Sequence, residues 1–376
     1  MKLLINQLDE HNEPNILATE KYNVDEVIFI VEEISNKLLD NIISHYQNHF
    51  KKVDFKTINI KPGDKEALEE LINENNSKEI IINLTGGKRI NSLILMDLAV
   101  KKNIKSIYID ILNKKSYEFL KEININENEK SQLNMNTVIN SAGVEIIEES
   151  TELCGNKNLI YLSKQIYKNL IFWESKKQKL YDNNIFIHNE LSPTNLTINT
   201  NYLDTEEKEL IEKILMKLEE FKEISFLENE KVKTYTVHFL TNYIKGFLFK
   251  SGTWLEIITT DMIKKIEGVS EVKSGVVFLW NNEDTSVRNE IDVLAIKDSI
   301  PIFISCKDSE KYNENALNEL NVYADKIGGK NTRKILVATK KPIKGNVKTR
   351  AEEMGINIVV FNGDENKFIE DIKNKL

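Results

Sequence analysis

The nine residues IPIFISCKD (300–308) form an apolar run that ends in a serine, a cysteine and two opposite charges. A count by two along an extended chain sets Phe303, Ser305 and Lys307 on one face and Ile302, Ile304 and Cys306 on the other. Both faces are mainly apolar, so the run reads as a central strand, and an ammonium at its end needs a partner or a chemical task. Upstream, RNEIDVLAIK (288–297) reads as a second strand with Glu290, Asp292, Leu294 and Ile296 on one face. The two-residue turn between them, around Asp298 and Ser299, makes the strands antiparallel and brings Asp292 near Ser305 and Lys307. A third acid, Glu256, stands in SGTWLEII (251–258) on a predicted helix, beside a Trp254 that reads as core. Carboxylates converging on a lysine make either a structural ion pair or a metal site. Mg²⁺ takes oxygen ligands and keeps several waters, so Glu256, Asp292 and a backbone carbonyl, that of Cys306, suffice to hold it. A lysine beside the ion would orient or deprotonate water and stabilise a pentacovalent phosphate. With all three pieces in order, the metal reading is preferred.

A second constellation is INLTGGKRIN (82–91), where an apolar strand runs through Thr85 into Gly86-Gly87 and a helix starting near Arg89. Ligands bind at the carboxyl ends of strands in open α/β sheets. Paired glycines let backbone N–H groups approach a phosphate, the helix N-terminus adds partial positive charge, and Lys88 with Arg89 adds more. The site suits an anion; a plain strand-to-helix turn is the bland alternative. Neither GxxxxGK[ST] nor GxGxxG is present, which weighs against nucleotide hydrolysis and dinucleotide binding. Asn6 and Gln7, at the end of the first strand, would lie beside this loop if strands one and four are neighbours.

These residues need elements to position them. Strand and helix patterns alternate over the first ~120 residues, with Ser35 and Asp64 as N-caps, which predicts a parallel sheet covered on both faces. A second α/β pattern runs from about 245 to the end. The reading is therefore α/β throughout: a Rossmann-like domain at 1–140, a helical connector at 141–240 and a second α/β domain at 241–376. At 376 residues, the chain is long enough for two cores. No run of about 18 apolar residues would span a membrane. The start, MKLLINQLDEH, turns acidic too soon for a secretory signal, and Cys154 and Cys306 match no zinc spacing, so a reduced, cytoplasmic setting is expected. The net charge of −8 argues against nonspecific coating of nucleic acid, yet residues 330–350 carry eight basic residues and no acid. That stretch is either a phosphate-binding patch or a solvated surface.

The NLTGGKR turn, in such a domain, resembles the CARF domain of CRISPR-associated proteins over roughly residues 1–140. The resemblance implies a homodimer that binds a cyclic oligoadenylate across its two-fold axis. Thr85, Gly86, Gly87 and Lys88 would be contacts, and more loosely Asn6, Gln7 and Leu8. The order of Glu256, Asp292 and Lys307 resembles the PD-(D/E)XK nucleases, whose domain is restriction-endonuclease-like, over roughly residues 245–376. Ser305 departs from that pattern, which asks for Asp or Glu; Glu290 is the candidate substitute, and Ser305 could still bind through its hydroxyl or a water. Together the halves resemble the cyclic-oligoadenylate-activated CRISPR ancillary nucleases. What this implies is type III CRISPR defence, activation by cyclic tetra-adenylate, and Mn²⁺- or Mg²⁺-dependent cutting of single-stranded RNA or DNA, or nicking of supercoiled duplex. A catalytically dead CARF sensor that binds nucleic acid or a partner is the alternative. A CARF-linked transcription factor would need a helix-turn-helix within 203–250.

Overall fold

The computed structural model describes residues 1–31, 36–127, 133–240, 242–249, 252–280, 288–309, 312–343 and 345–376. Ser35, expected to cap a helix, lies outside them. The first domain is built on strands β1 (Lys2–Gln7), β2 (Glu26–Val31), β3 (Asp54–Asn59), β4 (Glu79–Asn83), β5 (Lys105–Asp110), β6 (Lys115–Phe119) and β7 (Ile123–Glu127). They form one sheet in the order β3-β2-β1-β4-β5-β6-β7, parallel from β3 to β5, with β6 and β7 added antiparallel. β1 and β2 are near-continuous buried apolar runs, as strands covered on both faces must be. The strand order reverses between β1 and β4, so the chain leaving each opens a crevice at the same edge. The Gly-Gly turn follows β4 and therefore sits in that crevice.

The connector differs from the helical reading of 141–240. β8 (Val144–Glu148) leaves it to pair with the second domain's sheet, and β9 (Phe186–His188), β10 (Asn195–Asn199), β11 (Ile224–Asn229) and β12 (Thr234–Phe239) form a four-stranded antiparallel sheet. The reason lies in segments such as TYTVHF, where β-branched and aromatic residues alternate with polar ones and every second side chain is buried. Helices remain at Lys157–Lys168, Leu170–Lys176 and Thr205–Glu220. The last opens with a full capping box between Asp204 and Glu207. Two strands separate it from the next described helix, Asn242–Phe249, so no helix-turn-helix exists among the described residues of 203–250.

The second domain contains β13 (Val269–Trp280), β14 (Arg288–Lys297), β15 (Ile300–Lys307), β16 (Arg333–Ala338) and β17 (Ile356–Val360), in the order β17-β16-β15-β14-β13-β8. β15 is central and carries both cores: Phe303 packs in a cluster continuous with the first domain, and Ile302, Ile304 and Cys306 pack in a cluster shared with the connector. Direct bonds also tie the domains, among them the Leu133 N–H to Ser299 Oγ at 2.9 Å and the Lys114–Asp298 ion pair at 2.7 Å.

One carboxylate is buried against the usual preference. Glu13, in the first turn of the helix Glu13–Tyr22, is 5% exposed. Burial, opposed by its own backbone N–H and reinforced by the charge of Asp9, pushes its carboxyl up to about 7. A carboxyl raised in the folded state favours folding below its ordinary value of 4.5 and loses that contribution as pH rises through 7. Glu13→Gln removes the titration. Chemical denaturation of the variant and parent should show their stability difference moving by about 3 kcal/mol in the variant's favour between pH 4.5 and pH 8.

Candidate functional site

The hairpin between β14 and β15 turns through Asp298 and Ser299, with φ of 55° and 66°, the pair of left-handed residues of a type I′ turn. Its register pairs Val293 with Ile304, so the next position sets Asp292 opposite Ser305 on one face. Three donors meet at one oxygen, Asp292 Oδ2: the Cys306 backbone N–H at 2.6 Å, the Ser305 hydroxyl at 3.1 Å and Lys307 Nζ at 3.5 Å. Ser305 therefore orients the acid instead of supplying a second one. The helix Thr253–Ile263 packs on β15 through Thr259, whose Oγ1 accepts from Cys306 Sγ at 3.6 Å. Glu256 lies three residues, close to one turn, before Thr259 and in the first turn of its helix. Its charge, after that of Asp292, bears on Lys307.

Burial, the largest single influence, works to lower the Lys307 pKa, but the charge and hydrogen bond of Asp292 together with the smaller contributions of Cys306 and Glu256 outweigh it, and the ammonium is held above the ordinary lysine value. Lys307 is therefore a fixed cation at neutral pH, suited to an anionic phosphate and not to taking a proton from water. Burial, then Asp292, pushes the Cys306 thiol well up, so it behaves as core. Glu290 is exposed at the rim of the same face. Among the described residues no three His, Cys, Asp or Glu side chains gather as a metal site. All three donors fall on Asp292 Oδ2, and a hard divalent cation would need this carboxylate together with Glu256, a backbone carbonyl and water.

The other constellation is held by a buried amide network. Asn83, at the end of β4, gives its Nδ2 to Asn6 Oδ1 at 3.1 Å and Asn15 Oδ1 at 3.0 Å, and its Oδ1 accepts the Thr85 hydroxyl at 2.7 Å. Thr85 Oγ1 also accepts the Ile109 N–H at 2.8 Å, so this hydroxyl anchors the turn from both sides. Asn6, Gln7 and Leu8, expected beside the ligand, are 0%, 1% and 2% exposed, and Gln7 packs directly against the turn. The cause is β1's central position. Lys88 is exposed and offers no side-chain cap to the helix Arg89–Lys102; its carbonyl accepts the Asn91 and Ser92 N–H groups. Asp9, which the sequence reading missed, already takes the Gly87 N–H at 3.0 Å. A cleft of about 1220 Å³ adjoins the turn, with Thr85, Gly86 and Arg89 on one wall and Pro301, Asp325 and Arg333 of the second domain on the other.

Four of the eight basic residues of 330–350 are paired with acids: Lys334 with Asp325, Lys340 with Glu174, Lys348 with Glu352 and Arg350 with Glu353. Lys344 lies outside the described residues. The fold thus sets acids beside part of this stretch, two of them, Asp325 and Glu174, from outside it.

A Rossmann-like fold with a glycine turn at its crevice, fused to a sheet presenting Asp292, Ser305 and Lys307 beside the buried helix that carries Glu256, defines a CARF-plus-nuclease architecture. Residues 4–142 match the family described as the Card1 CARF domain, and residues 245–376 match the Card1-like endonuclease domain. The chain therefore joins a Card1-type CARF domain to a Card1-like endonuclease domain, the two-domain architecture of the CRISPR-associated CARF proteins. Can2 from Sulfobacillus thermosulfidooxidans, solved in complex with cyclic tetra-adenylate, superposes with a TM-score of 0.75 at 14% identity, covering 100% of this chain and 99% of its own. VC1899 from Vibrio cholerae gives 0.76 at 16% identity, covering 99% and 96%. A type III CRISPR defence DNA nuclease activated by cyclic oligoadenylate gives 0.54 at 15% identity, covering 92% of this chain and 47% of its own. At these identities the likeness establishes the fold. Comparison with curated proteins gives no match.

The turn itself is testable. Gly87 has φ of 73°, and a Cβ there would stand 2.5 Å from Gln7 Cβ, whereas a Cβ at helical Gly246 meets nothing within 4 Å. Gly87→Ala should lose more than about 1 kcal/mol by denaturant unfolding, while Gly246→Ala should gain a few tenths to about 1 kcal/mol.

Proposed function

We propose that the chain is a cyclic-oligoadenylate-gated, metal-dependent endonuclease of type III CRISPR defence. The observation that carries this is the convergence of Ser305, the Cys306 N–H and Lys307 on Asp292, beside the Glu256 helix, in a domain that matches an endonuclease family. Can2's complex with cyclic tetra-adenylate, over the full length of both chains, supports that ring as the activator. In this reading the activator's phosphates lie on the Gly86-Gly87 turn and the uncapped helix start, with Lys88 beside them. The open apolar residues Leu93 and Val100 of that helix favour a second copy of the chain as partner.

Glu256 and Asp292, with the Cys306 carbonyl and Glu290 at the rim, would hold Mn²⁺ or Mg²⁺. The ion, when bound, supplies Lewis-acid polarisation of a phosphodiester and of water. Lys307 holds the scissile phosphate and offsets the charge that develops on it, and Ser305 and the Cys306 N–H fix the Asp292 carboxylate. The substrate is single-stranded RNA or DNA, or supercoiled duplex. A second reading, a sensor without catalysis, is favoured by the serine at 305 and the small donor set. Lys307→Ala and Asp292→Ala decide between them. Each should slow activator-dependent cleavage by at least about 100-fold while binding of cyclic tetra-adenylate, followed by calorimetry, stays unchanged. Cleavage by Lys307→Ala at the parent rate contradicts the assignment.

A further inference from the structure

Next to Lys307 in sequence stands an acid with no part in the chemistry described above. Asp308 has a side chain with 0% exposure. A carboxylate there is costly unless every lone pair is met, and here four donors arrive from four other elements. Its Oδ2 accepts the indole N–H of Trp254 at 2.9 Å and that of Trp173 at 3.0 Å. Its Oδ1 accepts the Thr339 hydroxyl at 3.2 Å and pairs with Lys177 Nζ at 3.2 Å. Lys177 also donates to the Asp308 backbone carbonyl at 2.7 Å, and it pairs with Glu174 at 2.7 Å, which in turn holds Lys340 at 2.8 Å.

The donors are not scattered. Trp254 belongs to the helix that carries Glu256, two residues further on; Thr339 follows β16; Trp173 and Lys177 come from the connector's Leu170–Lys176 helix and the turn after it. One carboxylate thus sets the rotation of the Glu256 helix, the exit of the strand ending in Lys307, and the seat of the connector against both. Asp308 cannot substitute for the acid missing at 305, since its oxygens are already engaged away from Asp292.

We propose that Asp308 is the positioning residue of the nuclease site, fixing Glu256 relative to Lys307 and transmitting the connector's placement to them through Trp173 and Lys177. This rests on the nuclease reading and adds to it the residues that hold the site in register. Because positioning errors of about 1 Å cost on the order of 100-fold in rate, loss of this hub should appear in turnover more than in binding.

The test compares the full-length parent with Asp308→Asn and with Trp173→Phe, which keeps an aromatic ring but removes one donor. Cleavage is measured with saturating cyclic tetra-adenylate and Mn²⁺, and backbone deuterium exchange is followed at residues 305–309 and 79–83. We expect kcat to fall at least 10-fold in Asp308→Asn and several-fold in Trp173→Phe, with KM and activator Kd within twofold of the parent. Exchange should rise at 305–309 and stay unchanged at 79–83. Wild-type cleavage with full activity in both variants, or unchanged exchange at 305–309, overturns the role. A parent that cleaves nothing overturns the nuclease reading and this role with it. If Asp308→Asn does not fold, Trp173→Phe alone carries the comparison: several-fold slower turnover with faster exchange at 305–309 supports the role, and parent-like values overturn it.

Discussion

Everything at the second domain's centre follows from ending a doubly buried strand in charge. β15 has its residues buried from Ile300 to Cys306, and both of its faces belong to cores. A lysine and an aspartate at its exit are tolerable only where neighbours supply opposite charge and donors. Lys307 turns to Asp292 on one side, and Asp308 turns to two indoles, a hydroxyl and Lys177 on the other. Those compensations fix which helix lies over the strand, which hairpin register is allowed and where the connector docks. The chemistry inherits its geometry from the same requirement.

At the other end of the molecule the constraint is steric. β1 and β4 are neighbours, and the turn after β4 can press onto Gln7 only because positions 86 and 87 lack a Cβ. Asn83 Oδ1 then accepts the Thr85 N–H and Asn15 Nδ2 donates to the Gln7 carbonyl, meeting backbone groups that the strand ends leave open. The cleft beside this turn is walled partly by the second domain, so occupancy there bears directly on both halves. The continuous apolar cluster running from Leu4 to Leu336 joins them as well.

The sequence was most legible where the physics is local. The Asp298-Ser299 turn and the two-residue period of its flanking strands placed Asp292, Ser305 and Lys307 on one face, as found. Alternating strand and helix patterns likewise placed the Gly-Gly turn at a sheet crevice. What stayed hidden depended on distant partners. Trp173 is 135 residues from Asp308, so nothing near KD marks the acid as a hub. The acids that pair with residues 334 and 340, Asp325 and Glu174, lie outside the lysine-rich stretch, which therefore read as free charge. The connector's short strands, such as TYTVHF, carry their own alternation but lie between strong helical patterns, and pairing of β10 with β12 joins them into a sheet.

In the function proposed above, one chain couples ring binding at the first domain to metal-assisted strand cutting at the second. The most direct measurement incubates the full-length protein with labelled single-stranded RNA, single-stranded DNA and supercoiled plasmid, with and without cyclic tetra-adenylate and Mn²⁺ in all four combinations. The account predicts cleavage of at least one substrate only when activator and metal are both present. Cleavage that ignores the activator, or none in any combination while cyclic tetra-adenylate binds tightly, would contradict it.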